Sequence, residues 1–225
     1  CVIAGSNFIF KHISENYPKH VQKIKKFLVI FRGINTEYYD QNNINKKDRA
    51  KFFARLNIEP GKKIILMPGR LTEWKGQELL IEALNILKTN FGYKNFVAII
   101  LGSDQGRDTY KKKLVRLVEQ HRLNNDIIFL EHANSMPIAY SIANVVVSAS
   151  IEPEAFGRVS VEAQSMKRPI IASDIGGSRE TIIDKRTGLL FKSEDPKSLS
   201  EKIDNIFRSD DTTLNAMGNC GRKKR

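Results

Sequence analysis

Cysteine, histidine and long apolar runs are all scarce in this 225-residue sequence. Its two cysteines, Cys1 and Cys220, lie at opposite ends without metal-ligand spacing, which favours a reducing compartment over a disulfide scaffold. The four histidines show no pairing typical of a metal site or a catalytic triad. No apolar run approaches the roughly 18 residues that span a bilayer. We therefore expect a globular, cytoplasmic protein that requires no metal ion and no cofactor.

Two nucleotide-binding motifs are missing as well. No GxGxxG fingerprint follows a predicted strand, and the GxxxxGK[ST] phosphate-binding loop does not occur. The sequence thus predicts neither a dinucleotide-binding protein nor a P-loop enzyme.

Acidic residues are outnumbered by basic ones, which leaves a net charge of +12 and a pI near 9.7. The lysines are spread along the chain, and no aromatic platform is interleaved with them. This pattern argues against nucleic-acid binding and is typical of a solvated surface. Attraction to an anionic acceptor, or peripheral association with the inner face of an anionic membrane, stays open as an alternative.

From residue 61 onward, short apolar segments alternate with amphipathic ones. Continuous apolar strands separated by amphipathic helices predict an α/β fold, with a Rossmann-like parallel sheet and helices on both faces. The predicted strands are Ile64 to Met67, Phe96 to Leu101, Ile127 to Leu130, Asn144 to Ser148, Pro169 to Ala172 and Gly188 to Phe191.

Residues 1–38 form a piece of their own, with strands predicted at Val2 to Ala4 and Phe27 to Phe31 and one helix between them. These elements cannot close a core, so we interpret the segment as the remnant of another domain. Residues 39–60 are polar and rich in turn formers, which indicates a linker with one short helix from Asp48 to Leu56. Residues 61–225 form the main domain, and the ending from Met217 resembles the start of a further helix.

The stretch from Ser148 to Met166 joins a buried strand to a helix. If the helix starts at Phe156 or Gly157, the amides of Gly157, Arg158 and Val159 are unpaired donors at the positive end of a helix dipole. Such an end attracts phosphate.

Two carboxylates, Glu154 and Glu162, flank this junction and are expected to face one pocket. A pair of solvated surface acids is the alternative. The helix is expected to bury Val159, Ala163 and Met166, however, which leaves Glu162 beside the apolar stripe, where a carboxylate needs a partner.

Two other turns after strands favour anions. Gly69 permits a tight turn that projects Arg70 and Lys75, a guanidinium and an ammonium suited to a diphosphate. A second glycine turn lies between Ser173 and Ser178. Since ligands of such sheets bind beyond the carboxyl ends of the strands, we expect these turns to converge on one site.

Four motifs occur in order: G-R-L-T-E-W-K-G, E-A-F-G-R-V-S-V-E, R-P-I-I-A-S-D-I-G-G-S-R-E-T and T-G-L-L-F. Together they resemble the C-terminal donor-binding domain of the retaining, nucleotide-sugar-dependent glycosyltransferases of family four, which have the GT-B fold. The resemblance implies a hexosyltransferase that acts on a glycan or glycolipid acceptor, as in lipopolysaccharide or other envelope glycan assembly. It also implies a preceding acceptor domain, of which residues 1–38 resemble a fragment.

The resemblance assigns roles to particular residues. Arg70 and Lys75 would hold the donor diphosphate as the glycosidic bond breaks, and Glu154 would contact the transferred sugar; these three are the implied catalytic residues. Glu162 would bind the ribose hydroxyls. The remaining implied donor-binding residues are Gly33, Phe156, Gly157, Arg158 and Val159.

A non-catalytic reading stays open beside the enzymatic one. A truncated or split module would bind a nucleotide-sugar, or a partner that carries the acceptor domain in trans. Because half of the catalytic cleft would be missing, we expect the isolated chain to turn over weakly or not at all.

Overall fold

A computed structural model describes residues 1–106 and 108–223 of the chain. The strands are β1 (Val2–Ala4), β2 (Phe27–Val29), β3 (Lys63–Pro68), β4 (Phe96–Leu101), β5 (Ile127–Leu130), β6 (Val145–Ser148), β7 (Ile170–Ser173) and β8 (Leu189–Phe191). The helices are α1 (Asn7–Asn16), α2 (Pro18–Val21), α3 (Lys46–Arg55), α4 (Gln77–Thr89), α5 (Asp108–Gln120), α6 (Met136–Ile142), α7 (Arg158–Ser165), α8 (Ser178–Thr181), α9 (Pro196–Arg208) and α10 (Asp211–Lys223).

Within the described residues, six parallel strands form the larger sheet in the order β5-β4-β3-β6-β7-β8. In its centre, Leu66 of β3 pairs with Ile99 of β4 and with Val146 of β6. The chain builds one half outward from β3 and then returns to the other side with β6. Ligands of such sheets bind beyond the carboxyl ends of the strands where the order reverses. The ends of β3 and β6 therefore mark the expected site.

Helices cover both faces of this sheet. One face packs against α4, α5 and α9 through side chains such as Leu84, Leu114 and Ile203. The other packs against α6 and α7 through Tyr140 and Ala163. Burial of one large apolar side chain stabilises the fold by about 1.5–3 kcal/mol, so this double coverage explains why the strands are continuous apolar runs.

A second, two-stranded sheet pairs β1 with β2 in parallel. Its surroundings expose large apolar side chains: Ile3, Ile30 and Phe31 have exposed fractions of 58%, 54% and 57%. Two parallel strands are marginal on their own and are normally covered on both faces. The apolar surface at β1 and β2 is thus suited to packing against further structure.

The predicted α/β class and parallel sheet are confirmed, whereas several element limits differ. β2 ends at Val29 and not at Phe31. α3 begins at Lys46 and not at Asp48, because the Asn45 side chain accepts hydrogen bonds from the first-turn amides. α10 begins at Asp211, six residues before the predicted start, and residues 224–225 of the predicted helix lie outside the described residues. The division at residues 38 and 60 stays a prediction.

Candidate functional site

Three loops meet at the carboxyl edge of the larger sheet: residues 69–76 after β3, residues 149–157 after β6 (the Glu154 loop) and residues 174–177 after β7. Backbone hydrogen bonds join them. The Ile151 amide donates to the Trp74 carbonyl at 2.8 Å, and the Gly177 amide donates to the Glu154 carbonyl at 2.8 Å. The structure thus brings together the three turns that the sequence predicts to converge.

Glycine allows this close approach at two points. A Cβ atom at Gly76 would lie 2.0 Å from the carbonyl oxygen of Ala149. A Cβ atom at Gly177 would lie 2.7 Å from the Cα atom of Phe156. Because both neighbours are backbone atoms, any side chain would push the Glu154 loop away from the adjacent turns.

Lys75 and Glu154 form an ion pair in the crevice between β3 and β6. The Lys75 Nζ atom lies 2.6 Å from Oε1 of Glu154, and the two side chains are only 14% and 12% exposed. The Ser150 hydroxyl donates to the same oxygen at 2.5 Å. The ammonium also lies 4.3 Å from the ring centroid of Trp74, a cation–π contact that restricts its position.

This pair faces a cavity of about 370 Å³, which Trp74, Lys75, Glu154 and Phe156 help to line. Lys75 uses one of its three N–H donors on Glu154 and retains others for an anionic ligand. Among the described residues, Oε2 of Glu154 has no hydrogen-bond donor. The pair can therefore bind a phosphate through the ammonium and a hydroxyl through the free carboxylate oxygen.

Glu162 lies on α7 and is 5% exposed. The Tyr140 hydroxyl donates to its Oε2 atom at 2.8 Å. Arg158, one turn earlier, donates to Oε1 from Nε at 3.2 Å and from Nη2 at 2.8 Å. A buried carboxylate is costly unless its oxygens are hydrogen-bonded, and these donors meet that need. The partner expected for Glu162 is thus a tyrosine on one side and an arginine on the other.

The surroundings of Glu162 shift the titration of its neighbours. Burial, and then the Glu162 carboxylate, raise the pKa of Tyr140 well above the usual value of a phenol. The same two causes raise the pKa of Tyr39, whose ring packs edge-on against Tyr140 with centroids 6.0 Å apart. The hydrogen bond to Glu162 raises the pKa of Arg158. Both phenols therefore stay protonated and able to donate at neutral pH.

α7 begins at Arg158, one or two residues later than predicted, because Gly157 adopts a left-handed conformation (φ 80°) and serves as the N-cap. Phe156, Gly157 and Arg158 line the cavity at Lys75. The Val159 side chain packs against the core cluster on the α6 and α7 face, as its place on the apolar stripe predicts. First-turn amides of a helix have no intrahelical acceptor, so this end of α7 offers donors to an anion.

Arg70 and Gly33, two further predicted donor-binding residues, do not line the cavity at Lys75. Arg70 is exposed, and among the described residues its guanidinium makes no ion pair or hydrogen bond. It is not one of the residues that line the cavity at Lys75. Its backbone is fixed, because Nε2 of the Gln77 side chain donates to the Arg70 carbonyl at 2.8 Å. Gly33 lines a neighbouring cavity of about 450 Å³ together with Arg32 and Arg158.

Sequence reasoning missed several residues at this site. Ser150 precedes Glu154 by four positions in a loop, where no periodic pattern marks it. Tyr140 lies in the amphipathic segment between the predicted strands Ile127 to Leu130 and Asn144 to Ser148, where it is indistinguishable from an ordinary core residue. Tyr39 and Arg32 lie in segments interpreted as linker and remnant. The sequence predicts that Glu162 needs a partner. It does not show that Tyr140 is that partner.

Among residues 1–106 and 108–223, no helix combines the length and apolarity needed to cross a membrane. The same residues contain no group of three or more histidine, cysteine, aspartate or glutamate side chains arranged to hold a metal ion.

Comparison with known proteins adds a family match. The family profile described as Glycosyl transferases group 1 matches residues 48–224. The chain is also similar to a solved glycosyltransferase from Rickettsia africae, with a TM-score of 0.89 and 34% identity over 99% of this chain and 57% of that one. It resembles the C-terminal domain of a glycosyl transferase group 1 family protein from Francisella tularensis, with a TM-score of 0.71 and 27% identity over 85% and 95% of the two chains.

A third solved structure is HepE from Anabaena in complex with UDP-glucose, with a TM-score of 0.85 and coverage of 99% and 58%. Its identity of 24% makes this a likeness of fold alone. Curated relatives are 24–31% identical to the chain, and the chain spans about half of their length, from 44% to 55%.

Proposed function

The chain belongs to the family of glycosyl transferases group 1, and we propose that it is the donor-binding part of a retaining hexosyltransferase. In this proposal a nucleotide-sugar is the donor, and a glycan or glycolipid of the cell envelope is the acceptor. The fold agrees, because the Rossmann-like sheet is the C-terminal half of a GT-B fold. The acceptor class rests on the sequence motifs alone.

The observation that carries the proposal is the Lys75–Glu154 pair beside the amino end of α7. An ammonium, a carboxylate with a free oxygen and the first amides of a helix meet within one cavity. This combination suits a ligand that has a phosphate next to sugar hydroxyls. Two carboxylates alone would also fit a glycosidase, but an enzyme of that class has no use for a phosphate site.

Each charged group then has a role in the transfer. Glu154 accepts hydrogen bonds from the hydroxyls of the sugar. Glu162 accepts hydrogen bonds from the ribose hydroxyls after Arg158 gives up part of its contact with Glu162. Lys75, with Arg70 after movement of its exposed side chain, binds the diphosphate. HepE, which has the same fold, binds UDP-glucose, and this is compatible with such a donor.

The reaction breaks the bond between the anomeric carbon and the diphosphate oxygen and forms one to the acceptor oxygen. The acceptor proton passes to the departing phosphate on the same face, which retains the configuration. Negative charge grows on the diphosphate as the bond breaks, so the ammonium and helix amides stabilise the transition state more than the ground state. Because the ammonium and the helix amides supply this stabilisation, the proposed role requires no metal ion.

The acceptor requires structure beyond the cavity at Lys75. The apolar surface at β1 and β2, with Ile3, Ile30 and Phe31 exposed, fits a domain that covers it in cis or in trans. The same surface favours the alternative function, a non-catalytic module that binds a nucleotide-sugar or a partner domain. Transfer of sugar by the purified chain alone would exclude that alternative.

Calorimetric titration of the chain with UDP, GDP, ADP and their sugars tests the donor site. We expect one nucleotide to bind, and we expect Lys75→Ala and Glu162→Ala each to weaken binding about tenfold or more. Lys94→Ala and Glu201→Ala are the matched controls, since both side chains are exposed and without an ion pair in the described part. Absence of binding by a folded wild-type chain, or equal loss in the controls, would contradict the proposal.

A further inference from the structure

Helix α1 is fastened to the larger part of the chain at its amino end. The amides of Asn7 and Phe8 donate to the two carboxylate oxygens of Glu180, at 2.9 and 2.5 Å. The N-cap residue Ser6, which is 1% exposed, donates its hydroxyl to the Ala155 carbonyl at 2.5 Å. These contacts join residues that lie 149 to 173 positions apart. α1 therefore touches both α8 and the Glu154 loop.

α8 in turn packs against the same loop. The Gly176–Gly177 turn precedes it, and the Gly177 amide donates to the Glu154 carbonyl at 2.8 Å. A Cβ atom at Gly176 would lie 2.8 Å from that carbonyl oxygen. The Glu154 loop thus contacts Ser6 on one side and the Gly176–Gly177 turn on the other. Glu180, which follows that turn, also binds the first turn of α1, so it connects the two contacts.

We propose that Ser6 and Glu180 are positioning residues, which set the place of Glu154 by tying its loop to α1. Charge-assisted hydrogen bonds are roughly twice as strong as neutral ones, and a carboxylate is favoured at a helix amino end. Loss of the Glu180 carboxylate frees the first turn of α1 and weakens the Ser6–Ala155 bond. The loop then shifts, and the Lys75–Glu154 pair loosens. The segment that carries α1 thereby controls the cavity, and the coupling acts in both directions.

Trp74 supplies a direct readout, because it is the single tryptophan of the chain. Its ring lies 4.3 Å from the Lys75 ammonium, and its carbonyl accepts from Ile151 in the Glu154 loop. Movement of the loop therefore alters the surroundings of the indole. The variant Lys75→Met removes the ammonium from beside the indole. Its emission therefore gives the size and direction of the change that we expect when the loop moves.

The experiment compares Trp74 emission and amide hydrogen exchange in Glu180→Ala, Glu180→Gln, Ser6→Ala and Glu201→Ala. Glu201 is exposed on α9 and serves as the control. In Glu180→Ala and Ser6→Ala, we expect emission to shift as in Lys75→Met, and exchange to rise about tenfold in residues 6–10 and 154–157. Glu180→Gln keeps one acceptor oxygen and should restore part of the effect. β3 and β4 should exchange as in the wild type.

Two results would overturn the proposal. Faster exchange confined to residues 6–10, with unchanged Trp74 emission and unchanged residues 154–157, would show that the cap acts on α1 alone. An equal response of Glu201→Ala would show a general effect of lost charge. If Glu180→Ala does not fold, Ser6→Ala and Glu180→Gln carry the same test. Neither readout depends on sugar transfer, so failure of the proposed function leaves this result interpretable.

Discussion

The Nζ atom of Lys75 lies 2.6 Å from Oε1 of Glu154, although 79 positions separate the two residues in the chain. The contact exists because β3 and β6 are neighbours in the sheet and end at the same edge. Ser150 adds a second donor to the same oxygen. An ion pair with exposed fractions of 14% and 12% is shielded from most of the solvent, so its two charges depend on each other.

Replacement of Lys75 by alanine should destabilise the protein. The Glu154 carboxylate keeps only the Ser150 hydroxyl and stays largely buried, so we expect the free energy of unfolding to fall by about 1–3 kcal/mol. Urea unfolding measures this. In the double variant Lys75→Ala/Glu154→Ala the unpaired charge is gone, and the loss should be smaller than the sum of the two single losses. Additive losses would show that the pair contributes no coupling.

Tyr140→Phe should weaken the support of Glu162 in a pH-dependent manner. The pKa of Tyr140 is raised by burial and by Glu162, whereas an unfolded phenol ionises at about pH 10. Because the folded pKa is the higher one, the associated stability is present below about pH 10 and is lost as the pH rises above it. At pH 7 we expect the variant to lose about 1–3 kcal/mol, since a buried acceptor loses its donor.

Urea unfolding between pH 7 and pH 11 tests this expectation. Above about pH 10 the wild type should lose stability more steeply than Tyr140→Phe, so that the two curves approach each other. Tyr17→Phe is the matched control, because Tyr17 is 53% exposed. Parallel curves for wild type and Tyr140→Phe would contradict the assignment.

Gly177→Ala should disturb the Glu154 loop through sterics alone. The residue has φ −63°, which alanine adopts without strain, but its Cβ atom would lie 2.7 Å from the Cα atom of Phe156. We expect a loss of about 1–3 kcal/mol in unfolding free energy, as for other overpacked sites. Gly33→Ala provides the control for stability, since among the described residues no atom beyond its chain neighbours lies within 4 Å of the added methyl group. Equal stability of the two variants would contradict the tight packing of this turn.

The parallel sheet could be predicted because strands buried on both faces are continuous apolar runs, as β4 is from Phe96 to Leu101. Lys75 and Glu154 could be predicted because both follow such strands. The family resemblance stated from the motifs is confirmed by the match over residues 48–224. The roles of individual residues, and the division of the chain at residues 38 and 60, stay predictions.

Other features leave no periodic trace in the sequence. The Ser6–Ala155 contact joins positions 149 residues apart, and a local pattern carries no record of it. The missed first turns of α10, residues 211–216, contain two threonines and an asparagine, which are weak helix formers. Gly218 and Gly221 lie inside the predicted part of the helix and are both buried. They are glycine for a packing reason: a Cβ atom at Gly218 would lie 2.3 Å from the carbonyl oxygen of Lys167.

Arg222, near the end of α10, should hold the segment before α3 in place. Its Nη1 atom donates to the carbonyls of Tyr39 at 3.1 Å and of Ser165 at 2.5 Å, and Nη2 lies 2.5 Å from Oδ2 of Asp40. We expect Arg222→Ala to lower the free energy of unfolding by about 1.5–3 kcal/mol, since these bonds involve a charged donor. Arg222→Lys should recover little, because an ammonium lacks the planar fork that reaches several acceptors at once.

Amide exchange locates the effect of Arg222 within the fold. Residues 36–40 should exchange faster in Arg222→Ala, and the Tyr39 ring should lose its fixed contact with Tyr140 beside Glu162. Arg116→Ala is the matched control, because Arg116 is exposed on α5 and has no ion pair among the described residues. Unchanged exchange in residues 36–40 would show that α10 does not fix this segment. Faster exchange there, with weaker nucleotide binding, would show that Arg222 supports Glu162 from outside the cavity.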